Sequence, residues 1–362
     1  MPIALLDRPA RRLVPLLLGA LLSGCASLDY YAQLGRGQLD LLAARQPVDA
    51  LLADPATDAA LKRRLALAQQ ARDFASARLA LPDNRSYRLY ADLGRPYVVW
   101  NVFATPELSL EPLTHCFPIA GCVAYRGFYR QGRARGAAAL LRQEGLDTYV
   151  AGIEAYSTLG WFDDPLLNTM LRWDDERLAA LIFHELAHQQ LYVADDTAFN
   201  ESFASFVERE GLRQWRSARG LAPVDARHEG RRRQFTELVL ASRERLQALY
   251  ASPVADVDKR TGKAAEFERL RAEYRALRDG PWGGDRRYDA WMAQPLNNAH
   301  LLPFGLYDRW VEALAGLFRE ADGDWAAFYR RAAALGELPT DERERALQAL
   351  VERKQDTPRS MR

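Results

Sequence analysis

Residues 178–208 constrain this chain more tightly than any other stretch. Leu178-Ala-Ala-Leu-Ile-Phe runs directly into His184-Glu185-Leu-Ala-His188, so one apolar helical pattern carries two histidines four positions apart. Residues four apart share a helix face, and both imidazoles can therefore meet one metal ion. Glu185, one position along, projects beside that ion, where it can take a proton from an activated water. Two histidines and a water leave tetrahedral zinc one protein ligand short. Twelve residues after His188 comes Asn200-Glu201-Ser-Phe-Ala204, inside a second helical pattern marked by Phe199, Phe203, Phe206 and Val207. The intervening Asp195-Asp-Thr-Ala supplies a loop and an N-cap. Two packed helices can then bring Glu201 to the histidines as third ligand. Glu208, two turns further, is the competing choice. With Glu201 on the metal, Glu208 becomes a carboxylate that orients His188 or a substrate amine.

The rest of the chain narrows the alternatives. Its 362 residues hold 49 basic and 48 acidic side chains, a formal charge of +1 with no long basic block, so nucleic acid is not an expected partner. No G-x-S-x-G elbow, P-loop or dinucleotide fingerprint occurs. Residues 1–24 read as a targeting segment: Arg8, Arg11 and Arg12 precede an apolar run, Leu13 to Leu22, that is too short to span a bilayer. Leu22-Ser-Gly-Cys25 resembles a bacterial lipobox, which implies acylation of Cys25 and a mature chain starting there. Ala26 after the cysteine resembles an outer-membrane sorting signal. Loss of residues 1–24 leaves a charge of −1, so attraction to anionic lipid is not the expected anchor. The two other cysteines, Cys116 and Cys122, flank a short turn-prone loop. An oxidising periplasm favours a disulfide between them, with free thiols or a metal site including His115 as alternatives.

Hydrophobic spacing sketches the remaining organisation. Leu34, Leu41, Leu51, Leu61 and Leu65 fall on helical periods from about 30 to 79, punctuated by Pro47 and Pro55. Pro96–Phe103 and Thr148–Ser157 read as strands. Arg- and Glu-rich stretches at 223–249 and 256–278 read as an antiparallel helical pair with solvated faces. The expected division is a signal segment (1–24), an N-terminal helical section (25–85), a zinc metallopeptidase domain (86–350) with metal helices within 175–216 and the helical pair within 223–278, and a polar tail (351–362).

His-Glu-Leu-Ala-His followed by Asn-Glu-Ser-Phe-Ala resembles the gluzincin metallopeptidases, whose third zinc ligand is such a glutamate. More closely, the chain resembles a family of predicted zinc aminopeptidases of Gram-negative bacteria, many of them lipoproteins. Tyr30-Tyr-Ala-Gln33, Cys116-Phe-Pro-Ile-Ala-Gly-Cys122, Tyr156-Ser-Thr-Leu-Gly-Trp-Phe-Asp-Asp-Pro165, the metal segment and Leu296-Asn-Asn-Ala299 carry that resemblance. It departs from the larger gluzincin aminopeptidases in the shorter spacing between His188 and Glu201. The resemblance implies an α+β fold, predominantly helical and gluzincin-like, with a small mixed β-sheet beside the His-Glu-x-x-His helix. It implies one Zn2+ ion, a peptide substrate, hydrolysis assisted by Glu185, and a lipid-anchored enzyme of the outer membrane facing the periplasm. An oxyanion donor is expected at Tyr307, with His300 and Tyr156 as alternatives. Glu154 is the candidate for binding a substrate α-amine, by likeness to the G-x-M-E-N strand of large aminopeptidases. An endopeptidase for envelope proteins and a non-catalytic lipoprotein assembly factor are the rival functions. No feature of the sequence fixes an oligomeric state.

Overall fold

The computed structural model describes residues 28–117, 121–155, 157–158, 160–223, 226–304 and 309–355. Cys25, Tyr156, Tyr307 and residues 1–24, read from the sequence as a signal segment, lie outside them. The protein is α+β and mostly helical. Its first half alternates helices with short strands: α1 (28–43), β1 (Arg45–Pro47), α2 (Val48–Ala53), α3 (Ala59–Leu79), β2 (Leu89–Ala91), β3 (Val99–Pro106), β4 (His115–Phe117), β5 (Gly121–Val123), β6 (Tyr125–Phe128), α4 (Gln131–Gln143), β7 (Leu146–Ile153) and β8 (Leu166–Leu167). Helices follow: α5 (Asn168–Leu171), α6 (Asp175–Gln190), α7 (Thr197–Ala218), α8 (Ala226–Ala251), α9 (Asp256–Asp279), α10 (Asp289–Met292), α11 (Asn298–Leu301), α12 (Val311–Glu320), α13 (Trp325–Gly336) and α14 (Thr340–Gln355).

The strands form two three-stranded sheets and a separate hairpin. The small sheet, ordered β1-β2-β8, is mixed: β1 and β2 are antiparallel, β2 and β8 parallel. Its Tyr90, Leu166 and Leu167 join the core of α6, so the mixed sheet does stand beside the helix of the two histidines. The larger sheet, β6-β3-β7, is wholly antiparallel. Alternation along β3 sends Trp100 and Val102 to one face, against Tyr30 of α1 and Ala134 and Ala138 of α4. It sends Phe103 to the other face, against Ala299 of α11 and Leu302. The strand pattern read from Thr148–Ser157 is realised two residues earlier, as β7, and Glu154 falls just beyond its end.

One core unites the ends of the chain. Leu65, Ala68, Ala71 and Leu79 of α3 pack with Leu178, Ile182, Phe183 and Leu186 of α6, Phe199 and Phe203 of α7, and Leu314, Phe328 and Leu347 near the C-terminus. Helix α3 starts at Asp58, whose carboxylate accepts the Ala60 and Leu61 amides, and α6 starts at Asp174, which accepts that of Arg177. The charged helices α8 and α9 pair around a second core of Phe235, Val239, Leu246, Phe267, Leu270 and Tyr274. Among the described residues no helix is long and apolar enough to cross a membrane.

Candidate metal centre

Helices α6 and α7 form an antiparallel hairpin closed by residues 191–196, and that turn is tightly made. Buried Asn200 accepts the Val193 amide at 2.8 Å and donates back to the Val193 carbonyl at 2.7 Å. Asp196 caps α7 through the Phe199 amide, and nearly buried Arg343 holds its other oxygen at 2.8 Å. These bonds fix where α7 begins relative to where α6 ends, and hence the distance from His188 to Glu201.

His184 Nε2 lies 3.4 Å and His188 Nε2 3.7 Å from Glu201 Oε2, and one ligand atom from each residue lies within 4.8 Å of the others. Donors bound at about 2.0–2.1 Å around a tetrahedral ion stand roughly 3.3 Å apart, so the spacing suits a zinc-sized cation. Glu201 Oε2 is buried and has no hydrogen-bond partner among the described residues. A buried carboxylate oxygen is compensated by a nearby cation, either a bound metal ion or a protonated His184 3.4 Å away. The donor set and the orphaned oxygen both fit a divalent metal.

Glu208 does not orient His188, as its sequence position suggested. Its Oε2 lies 3.0 Å from His184 Nδ1, and its Oε1 accepts from Arg177 at 3.4 Å. The reason is the antiparallel path: moving away from the turn along α7 moves back along α6, so the carboxylate two turns past Glu201 meets the earlier histidine. A carboxylate on Nδ1 directs Nε2 toward the metal position and makes it a better donor. His188 Nδ1 has no such partner among the described residues.

The protein's own charges respond accordingly. Burial disfavours a protonated His184, but the neighbouring carboxylates of Glu201 and Glu208 outweigh it and raise its pKa to about 10. Burial lowers His188 to about 4. Burial raises Glu185 to about 7, and the charges of Glu201 and Asp164 add to the rise while His184 opposes it. Glu208 is pulled well down despite burial, by its bond to His184 and by Arg177.

Other candidates are placed elsewhere. The Glu154 carboxylate accepts from Arg172 at 2.7 Å and from the Trp173 indole at 2.6 Å. His300 completes the capping box of α11: its Nδ1 accepts the Asn297 amide, and its ring packs on Tyr149 at 4.3 Å. Cys116 and Cys122 are joined by a disulfide across the β4–β5 hairpin.

Three neighbours went unassigned in the sequence. Gln189 lies four residues after Glu185 on the same helical stripe, and donates to Asp164, 5% exposed, at 3.3 Å. Thr158 supplies two more bonds to that carboxylate. The i+4 spacing from Glu185 could have singled out Gln189. Tyr125, first residue of β6, lies close enough that Glu201 and Glu185 reinforce the rise in its pKa caused mainly by burial. Tyr192 is likewise raised by burial, then by Glu201 and Asp195. No local signal marks Tyr125, because it reaches the centre through strand pairing.

What the arrangement can do is set by its parts: three convergent metal donors, a carboxylic acid tuned near neutrality beside them, and phenols close by. No curated protein and no solved structure shows a significant match to the chain. The model of the family described as "Putative aminopeptidase" matches residues 29–347. That match spans most of the sequence and contains the whole candidate metal centre, so the chain belongs to this aminopeptidase family.

Proposed function

We propose that this protein is a zinc-dependent, gluzincin-like aminopeptidase, held by a lipid on Cys25 at the periplasmic face of the outer membrane. The observation that carries the reading is the convergence of His184, His188 and Glu201, with Glu201 Oε2 buried and unpartnered, beside the high-pKa carboxyl of Glu185. His184, His188 and Glu201 hold the ion, and Glu208 and Arg177 keep His184 aligned. A cation held there supplies Lewis-acid polarisation of a peptide carbonyl and acidifies water. Glu185 receives the proton of the attacking water and later returns it to the leaving amine. Its burial, with the charges of Glu201 and Asp164, raises its pKa toward neutrality.

The test is hydrolysis of short peptides with free and acetylated amino termini by the purified mature chain. The reading predicts a chelator-sensitive activity, restored by zinc, that acts on the free peptides and spares the acetylated ones. Equal cleavage of both sets identifies an endopeptidase. Absence of cleavage across a broad peptide library, with zinc retained, points to the non-catalytic lipoprotein.

A further inference from the structure

The hairpin β4–β5 belongs to neither sheet, yet it touches the metal centre's turn. The Cys122 amide donates to Asp195 Oδ1 at 2.7 Å, across 73 positions of sequence. Asp195 lies in the loop between α6 and α7, with a left-handed backbone (φ 64°). The approach is close enough to need glycine at the next hairpin position. Gly121 has φ +70°, and a Cβ there would come within 2.4 Å of Asp195 Oδ1. On its other side the hairpin packs Phe117 against Tyr30 of α1, with ring centroids 6.1 Å apart. Through Ala124 it continues into Tyr125, whose phenol feels the charges of Glu201 and Glu185.

So small a hairpin cannot hold its own shape. It has three pairs of facing residues, and isolated two-stranded ribbons are marginal in water. The Cys116–Cys122 bond joins its middle pair, and both cysteines are exposed to solvent. We propose that this disulfide hairpin is a redox-sensitive brace of the metal centre, with Asp195 as the positioning residue that transmits it. In the oxidised chain the hairpin amide holds Asp195, a residue of the 191–196 loop that the Asn200 and Asp196 bonds also place between His188 and Glu201. Reduction by a dithiol delivers two electrons and two protons, opens the S–S bond to two thiols, and closes the reductant to its own disulfide. The hairpin then loosens, Asp195 loses its partner, and the ligand spacing relaxes.

The inference rests on the metal reading above, and its test separates the two. Zinc affinity is measured by chelator competition for the oxidised chain, the phosphine-reduced chain, and the C116S/C122S, D195A and D195N variants. Oxidised protein should bind zinc, and reduction or D195A should weaken binding about tenfold, the usual effect of removing a support behind a metal ligand. Asn offers the same oxygen to the Cys122 amide and tolerates a left-handed backbone, so D195N should restore affinity. Reduction should add little to D195A, because both break one connection. Unchanged affinity on reduction, or full additivity of reduction with D195A, overturns the brace. Oxidised wild-type chain that takes up no zinc overturns the metal reading and the brace together. Should C116S/C122S not fold, the reduced wild-type chain and the Asp195 variants still decide.

Discussion

Burial gives Glu185 a pKa of about 7, a value at which a carboxyl both accepts and returns a proton near neutral pH. Glu185→Gln preserves its size and removes its basicity. Turnover should fall about 10²- to 10⁴-fold with zinc content unchanged, the range expected for loss of a general base. Undiminished turnover would remove Glu185 from the chemistry. Asp164 poses a different question, because it is buried with only neutral hydrogen-bond donors around it. Burial raises its pKa from 3.8 to about 6, so folding binds its proton more tightly than the unfolded chain does. Stability from this group is therefore complete below pH 3.8 and is lost as pH rises through about 6. The two-unit difference corresponds to roughly 3 kcal/mol lost above pH 6. An Asn amide can accept from the Thr158 amide and Gln189 and donate to the Thr158 hydroxyl. Asp164→Asn should thus stabilise the protein at pH 8 and leave it unchanged near pH 3.5, as measured by denaturant unfolding. A variant less stable at pH 8 contradicts this. At this scale His184, Glu185 and His188 were legible because one helical turn contains them. Asp164 and Tyr125 were not, because their place at the centre depends on contacts made far along the chain.

Helix pairing decides which carboxylate does what. Glu201 could be chosen from its position after the turn, because the first turn of α7 must face the last of α6. The partner of Glu208 could not, since the spacing alone does not say which histidine an antiparallel crossing presents to it. Its place behind His184 predicts that Glu208→Gln weakens zinc binding about tenfold and leaves one zinc site per chain, measured by chelator competition. An affinity equal to wild type would mean that His184 needs no support. The strands were harder to delimit than the helices. β-Branched and aromatic runs located β3 and β7, but three-residue strands such as β1, β4 and β5 exist only through their partner strands. The paired cysteines signalled that the β4–β5 segment closes on itself. Nothing local signalled that it would dock on Asp195.

At the scale of the whole molecule, a polar hub ties the core of α8 and α9 to the larger sheet. Asn298, fully buried, donates to the carbonyls of Glu107 and Ser109 at 2.9 Å, accepts the Tyr250 hydroxyl at 2.9 Å, and gives its amide to Asp147. Lys263 of α9 reaches Asp147 and the Glu107 carbonyl as well. This explains in physical terms why Leu296-Asn-Asn-Ala299 stood out as a motif without suggesting any chemistry: Asn297 caps α11, and Asn298 fastens the α8–α9 pair to the large sheet. Asn298→Ala removes three side-chain hydrogen bonds, to the Glu107 and Ser109 carbonyls and from the Tyr250 hydroxyl, and should cost about 3 kcal/mol, read from the denaturant midpoint. A cost under 0.5 kcal/mol contradicts that role. The metal centre lies in the other core, between helices tied to both ends of the chain. The most direct test of the account is therefore the zinc stoichiometry of the purified protein beside that of Glu201→Ala. One zinc per wild-type chain, lost from the variant under the same chelator challenge, is the predicted result. A wild-type chain without zinc, or a variant that retains it equally well, would contradict the assignment of Glu201 and the centre built around it.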